Sequence, residues 1–76
     1  MENGTIVLDQ KWMTFSPEVV NLMARNNITS DRIWLELSEG CREISYNGRF
    51  QFIFYGRLFY LVRNSYGGPE VRVERG

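Results

Sequence analysis

The sequence predicts an α+β domain in which two N-terminal helices pack on one face of a curved antiparallel β-meander of three to four strands. Three observations carry that expectation. Apolar residues recur at three- and four-residue steps between Pro17 and Gly40. They alternate after Gly40, and turn residues arrive at regular intervals from there on, at Asn47-Gly48, Gly56 and Gly67-Gly68-Pro69. With 76 residues and neither linker nor repeat, one domain over residues 1–76 is expected, fraying at Met1 to Gly4 and at Arg75 to Gly76. Folding at this size hides only about 60% of the surface of the unfolded chain, so the core is thin.

The elements follow in order. The stretch "TIVLDQKW" reads equally well as a short first strand or as an irregular lead-in. In "FSPEVVNLMARNNI", Ser16 suits an N-cap, Pro17 suits the first helical position, and Glu18 meets the positive helix end, which predicts a helix from Pro17 to Asn26. Its apolar side is Val19, Leu22 and Met23, with Asn26 next in line. "NITSDRIWLELSEG" repeats the pattern: Thr29 or Ser30 caps, Ile33, Trp34 and Leu37 form the stripe, and Gly40 closes the helix in a left-handed conformation. Ile28 between the helices is placed as a hydrophobic staple. Strands are expected at Arg42–Tyr46, Arg49–Tyr55, Arg57–Asn64 and Val71–Glu74.

Register decides which side chains face solvent. A three-residue loop Tyr46-Asn47-Gly48, with Gly48 in a left-handed bulge, sets Ile44 opposite Phe50 and Arg42 opposite Phe52. A two-residue turn at Tyr55-Gly56 sets Phe52 opposite Phe59 and Ile53 opposite Leu58. One face then collects Ile44, Phe50, Phe52, Phe54, Phe59 and Leu61 as a floor for the helices. The other collects Arg49, Gln51, Ile53, Tyr55, Leu58, Tyr60 and Val62, joined by Arg72 or by Val71 and Val73. Left uncovered, that second face has the Tyr and Arg content of a recognition surface. Covered by the N-terminal segment or Trp12, it is a second packing layer.

Composition narrows the chemistry. With 43% hydrophobic residues the chain is too apolar for disorder. No apolar run approaches the roughly 18 residues that span a bilayer, and "MENGTIVLDQ" lacks the basic head and apolar stretch of a leader, so a cytoplasmic protein is expected. Histidine is absent and Cys41 is the single cysteine, which argues against metal sites and cofactors and leaves Arg, Tyr, Glu, Asp, Ser and Lys11 for any catalysis. Cys41 itself reads as a small buried apolar residue, and "GGPE" as a strand connection rather than a phosphate loop. The net charge is zero but polarised. Residues 1–40 carry three basic against six acidic side chains, and residues 41–76 carry six against three. Eight of the nine basic residues are arginine, which suits phosphate, carboxylate and aromatic partners, although codon composition gives the same bias.

The stretches "TFSPEVVNLMARNNITSDRIWLELSEGCREI" and "GRFQFIFYGRLFYLVRN", with the closing "VRV", resemble a small bacterial family related to the BrnT and RelE-type toxins. The resemblance covers about residues 14–75. It implies a helix pair on a curved sheet, RNA cleavage through basic and aromatic residues on the open side, and a partner antitoxin. Carried over by position, Arg49, Tyr60 and Arg72 would be catalytic and Gln51, Tyr55, Arg57 and Arg63 would bind, with Tyr60 or Glu70 moving a proton. Where relatives have histidine after "F-S-x", this chain has Glu18, which as a helix-start acid is worth about 0.3–1 kcal/mol of dipole stabilisation. The resulting expectation is a small toxin-like RNA-interacting protein, an endoribonuclease or a degenerate relative. The alternative is a non-catalytic inhibitor or adaptor, of phage or mobile-element kind, that binds a host protein through the same face. A homodimer through the edge of "VRVER" is a third reading, which the charges on that strand oppose.

Overall fold

The computed structural model describes residues 6–40, 42–44 and 49–75, with Arg42–Ile44 and Arg49 described at the level of the backbone. The expectations for Met1 to Gly4, Cys41, the bulge at Gly48 and Gly76 lie outside these residues. Two helices and one five-stranded sheet make an α+β fold.

Helix α1 (Pro17–Asn26) has its expected bounds. Ser16 Oγ accepts the Val19 N–H at 3.4 Å, Pro17 opens the first turn, and Asn27, left-handed at φ 56°, ends it with its N–H on Met23 O. Helix α2 (Ser30–Gly40) is capped by Thr29, whose Oγ1 accepts the Arg32 N–H at 3.2 Å. Ile28 before that cap and Ile33 four residues after it are both buried in the core, the arrangement of a staple. Gly40 departs from expectation: it is the last helical residue and stays outside the left-handed region. One residue separates it from the next strand, so there is no length for the chain reversal that a left-handed cap makes.

The strands are β1 (Thr14–Phe15), β2 (Arg42–Ile44), β3 (Arg49–Phe54), β4 (Arg57–Arg63) and β5 (Pro69–Val73), in the spatial order β1-β5-β4-β3-β2. The meander β2 to β5 is antiparallel as expected, but β1 adds a parallel edge, Thr14 beside Glu70 and Phe15 beside Val71, so the sheet is mixed. The expected β3–β4 register is observed, with Phe52 opposite Phe59 and Ile53 opposite Leu58. Tyr55 and Gly56 have φ of 57° and 68°, the double left-handed pair of a type I′ turn. The expected β2–β3 register is corrected by one residue. Ile44 faces Arg49 and Arg42 faces Gln51, so four residues rather than three join the strands.

The stretch "TIVLDQKW" resolves in its described part as a lead-in. Residues 6–9 are irregular, and Gln10–Trp12 form a 3-10 turn capped by the Asp9 carboxylate. This segment lies on the helix side of the sheet. Ile6 and Met13 pack against the core, Leu8 shares a cleft with Trp34, Leu37 and Phe50, and Gln10 Nε2 donates to Asp31 Oδ1 at 2.6 Å.

Both helices cover the same side. Val19 and Leu22 of α1 and Ile33 and Leu37 of α2 bury against Phe52, Phe54, Phe59, Leu61, Val71 and Val73. Phe52 stacks on Phe59 with centroids 5.4 Å apart, and Phe54 meets Phe59 edge-on at 5.8 Å. Arg32 of α2 lays its guanidinium 5.3 Å from the Phe54 ring centre, closing the core with a cation over an aromatic face. Among the described residues no helix is long and apolar enough to cross a membrane.

Candidate functional site: the open face of the sheet

Strand alternation sets the site. Residues of β4 that point toward the helices, Phe59 and Leu61, are buried to within 1%. Those that alternate with them, Leu58, Tyr60 and Val62, face the other way and stay partly accessible. Among the described residues neither helix nor the N-terminal segment is seen to cross this second side, and Ile53, near its hairpin end, is 65% exposed. The uncovered alternative therefore holds among the described residues.

Register builds rows across the face. Gln51, Tyr60 and Arg72 stand side by side on β3, β4 and β5. Ile53 and Leu58 form the next row toward the hairpin tip, and Val62 and Glu70 the row on the other flank. Glu74 continues the β5 register, its N–H donating to Leu58 O at 2.8 Å. The face thus has an apolar diagonal of Ile53, Leu58 and Val62, with Tyr60 and Gln51 amid it.

Its charges compensate one another. Arg72 Nε lies 3.4 Å from Glu70 Oε2. The hydrogen bond that Arg72 donates to Glu70 and then the Glu70 charge, with a weaker hydrogen bond donated to Tyr60, hold the Arg72 guanidinium above its ordinary pKa. It is charged throughout the working pH range, and it is engaged from both sides. With Glu74 following on the same strand, the described ionised groups of this face do not sum to a positive field.

Of the seven candidate site residues, the structure brings together Gln51, Tyr60 and Arg72. Arg49 takes its place in β3 opposite Ile44, and its side chain lies outside the description. Tyr55 occupies the hairpin tip, its ring tilted against Phe54 with centroids 5.0 Å apart, and so leaves the open row. Arg57 and Arg63 share the parity of Phe59 and fall on the helix side. Arg57 opens onto a cleft beside α1, and Arg63 lies over the turn before β5, its Nη2 3.6 Å from where a Cβ on Gly67 would stand.

One structural centre had no advance signal. Asn64 follows β4 and ties three segments: its Nδ2 donates to Trp12 O and Thr14 Oγ1, both at 2.9 Å, while its Oδ1 accepts the N–H groups of Tyr66 and Gly68. Asn four residues before Gly68 is a turn signal, but its long-range bonds to residues 12 and 14 leave no local trace. Comparison of the chain with protein-family models, with curated proteins and with solved structures yields no match.

Proposed function

We propose that this protein is a cytoplasmic, non-catalytic binding module that engages another protein through the open face of its sheet. The observation that carries this reading is the apolar diagonal Ile53, Leu58 and Val62, left uncovered beside an Arg72 already neutralised by Glu70. Apolar centres with a Tyr and an Arg, whose charge is compensated among the described residues, are the composition of protein interfaces, where a few such side chains supply most of the binding energy. A polyanion would instead need uncompensated cations. Such a module would serve as an inhibitor or adaptor, of phage or mobile-element kind.

The test is site-directed photocrosslinking in cells, with the reactive side chain at position 53 on the open face and at position 20 on α1. One discrete, stoichiometric protein adduct from position 53 only, lost in Tyr60→Ala, is expected. RNA adducts from position 53, or equal adducts from both positions, would sink the proposal. An adduct of the chain with itself would replace it by a homodimer.

The row Gln51, Tyr60 and Arg72 favours a second reading, in line with the likeness to RelE and BrnT toxins. A base can stack on Tyr60 while Arg72, released from Glu70, takes a phosphate, and Arg49 would complete a catalytic set. This reading requires growth arrest on expression and RNA cleavage at low salt that Arg72→Ala and Arg49→Ala abolish.

A further inference from the structure

Away from the open face, on the helix side, three arginines line one cleft. Glu18, Asn21, Leu22 and Arg25 stand at steps of three and four along α1, and so line one stripe of it. That stripe borders a cleft of about 190 Å³ whose opposite wall is Arg57 at the start of β4 and Val73 and Arg75 at the end of β5. These strand ends are neighbours because β4 and β5 run antiparallel. Leu22 and Val73, both buried, form the floor.

Three guanidinium groups thus share one cleft with one carboxylate. Arg75 Nη2 is paired with Glu18 Oε2 at 2.7 Å. Among the described residues Arg25 and Arg57 have no ion pair, so two cations are held in one concavity with nothing to balance them. Such an arrangement repels itself until an anion enters. From this geometry we infer that the cleft between α1 and the ends of β4 and β5 is a binding site for a dianionic phosphate group, inorganic phosphate or the phosphomonoester of a small molecule.

The chemistry selects the ligand class. The cleft's net charge of two matches a phosphomonoester, which carries close to two negative charges at neutral pH, whereas a carboxylate or a backbone phosphodiester supplies one. The planar fork of arginine fits phosphate oxygens in pairs, and the Asn21 amide supplies an uncharged donor beside them. Glu18 holds Arg75 at the rim. The apolar floor gives an organic substituent a surface to rest on.

The arginine side-chain N–H signals of the ¹⁵N-labelled protein would be followed by NMR as inorganic phosphate is added at pH 7.5, against sodium chloride and acetate at matched ionic strength. Saturable shifts of Arg25, Arg57 and Arg75 with phosphate alone are expected. Arg57→Gln and Arg25→Gln should each weaken binding about tenfold or more, and Glu18→Gln should tighten it several-fold. Arg72→Gln on the open face should leave it unchanged, which separates this site from the face that the proposed function uses. All four side chains are exposed, and backbone spectra check that each variant keeps the fold. Shifts that grow linearly without saturation, that acetate reproduces, or that survive in Arg57→Gln would overturn the inference. So would tighter saturation of the same signals by a short single-stranded RNA than by phosphate, which would assign the cleft to nucleic acid.

Discussion

The two sides of strand β4 are built from adjacent residues and behave as different materials. Phe59 and Leu61 have essentially no accessible surface and bind the sheet to the helices, whereas Leu58, Tyr60 and Val62 line an uncovered surface. Aromatic stacking is concentrated on the first side, where Phe52, Phe54 and Phe59 contact one another. The second side carries aliphatic side chains, one tyrosine and a self-compensated ion pair. Core packing and the surface proposed for recognition therefore occupy alternate positions of one strand, and substitutions should separate them.

Phe59→Ala should have the largest effect. It removes a fully buried ring with two aromatic neighbours, at a cost of about 3–5 kcal/mol, which is much of the stability of a small domain. Urea unfolding should show a large drop in midpoint, and a drop below 1 kcal/mol would mean that the two sides differ less than their burial indicates. Asn64→Ala should follow at about 2 kcal/mol, because it strands the Gly68 and Tyr66 N–H groups and releases the N-terminal segment from β5. Here the loss should be accompanied by faster amide exchange at Thr14 and Phe15.

Tyr55→Asn should have a smaller effect of opposite sign, a gain of about 0.5–1 kcal/mol in thermal unfolding. Asn tolerates the left-handed backbone at φ 57° that costs a tyrosine strain, and Asn-Gly is the favoured type I′ pair. A loss instead would show that the Tyr55 contact with Phe54 outweighs the strain. Ile53→Ser should change stability least, by under about 0.5 kcal/mol, since the side chain is already in solvent. If it destabilised by as much as Phe59→Ala, the contrast between the faces would collapse.

Much of this plan is legible in the sequence where the signal is local. The bounds of α1 follow from Ser16, Pro17 and the periodicity, and the β3–β4 register follows from a turn that Gly56 permits. The first hairpin differs from expectation by one residue because Asn47-Gly48 is a strong two- or three-residue loop signal, while the pairing of Arg42 with Gln51 needs four. The parallel pairing of Thr14 and Phe15 with β5 joins segments more than fifty residues apart, and two residues carry no periodicity. For the site, alternation places Gln51 and Tyr60 together but leaves open whether Arg72 or Val71 and Val73 join them, and it is the β4–β5 register that selects Arg72. Alternation equally separates Arg57 and Arg63 from them, a distinction that reading the arginines as one set obscures. The cleft formed by Arg25, Arg57 and Arg75 was not visible, since it depends on how a helix stripe lies over two strand ends.

The strand order has a consequence for how the protein comes into being. Residues 69–73 are made after the other four strands, yet they lie between β1 and β4 and contribute Val71 and Val73 to the core under the helices. A nascent chain that has emerged only as far as the fourth strand has a gap where its sheet should close, so assembly waits for β5 and then proceeds as one event. Ribosome-stalled chains ending before Pro69 should accordingly be open to proteases along their whole length.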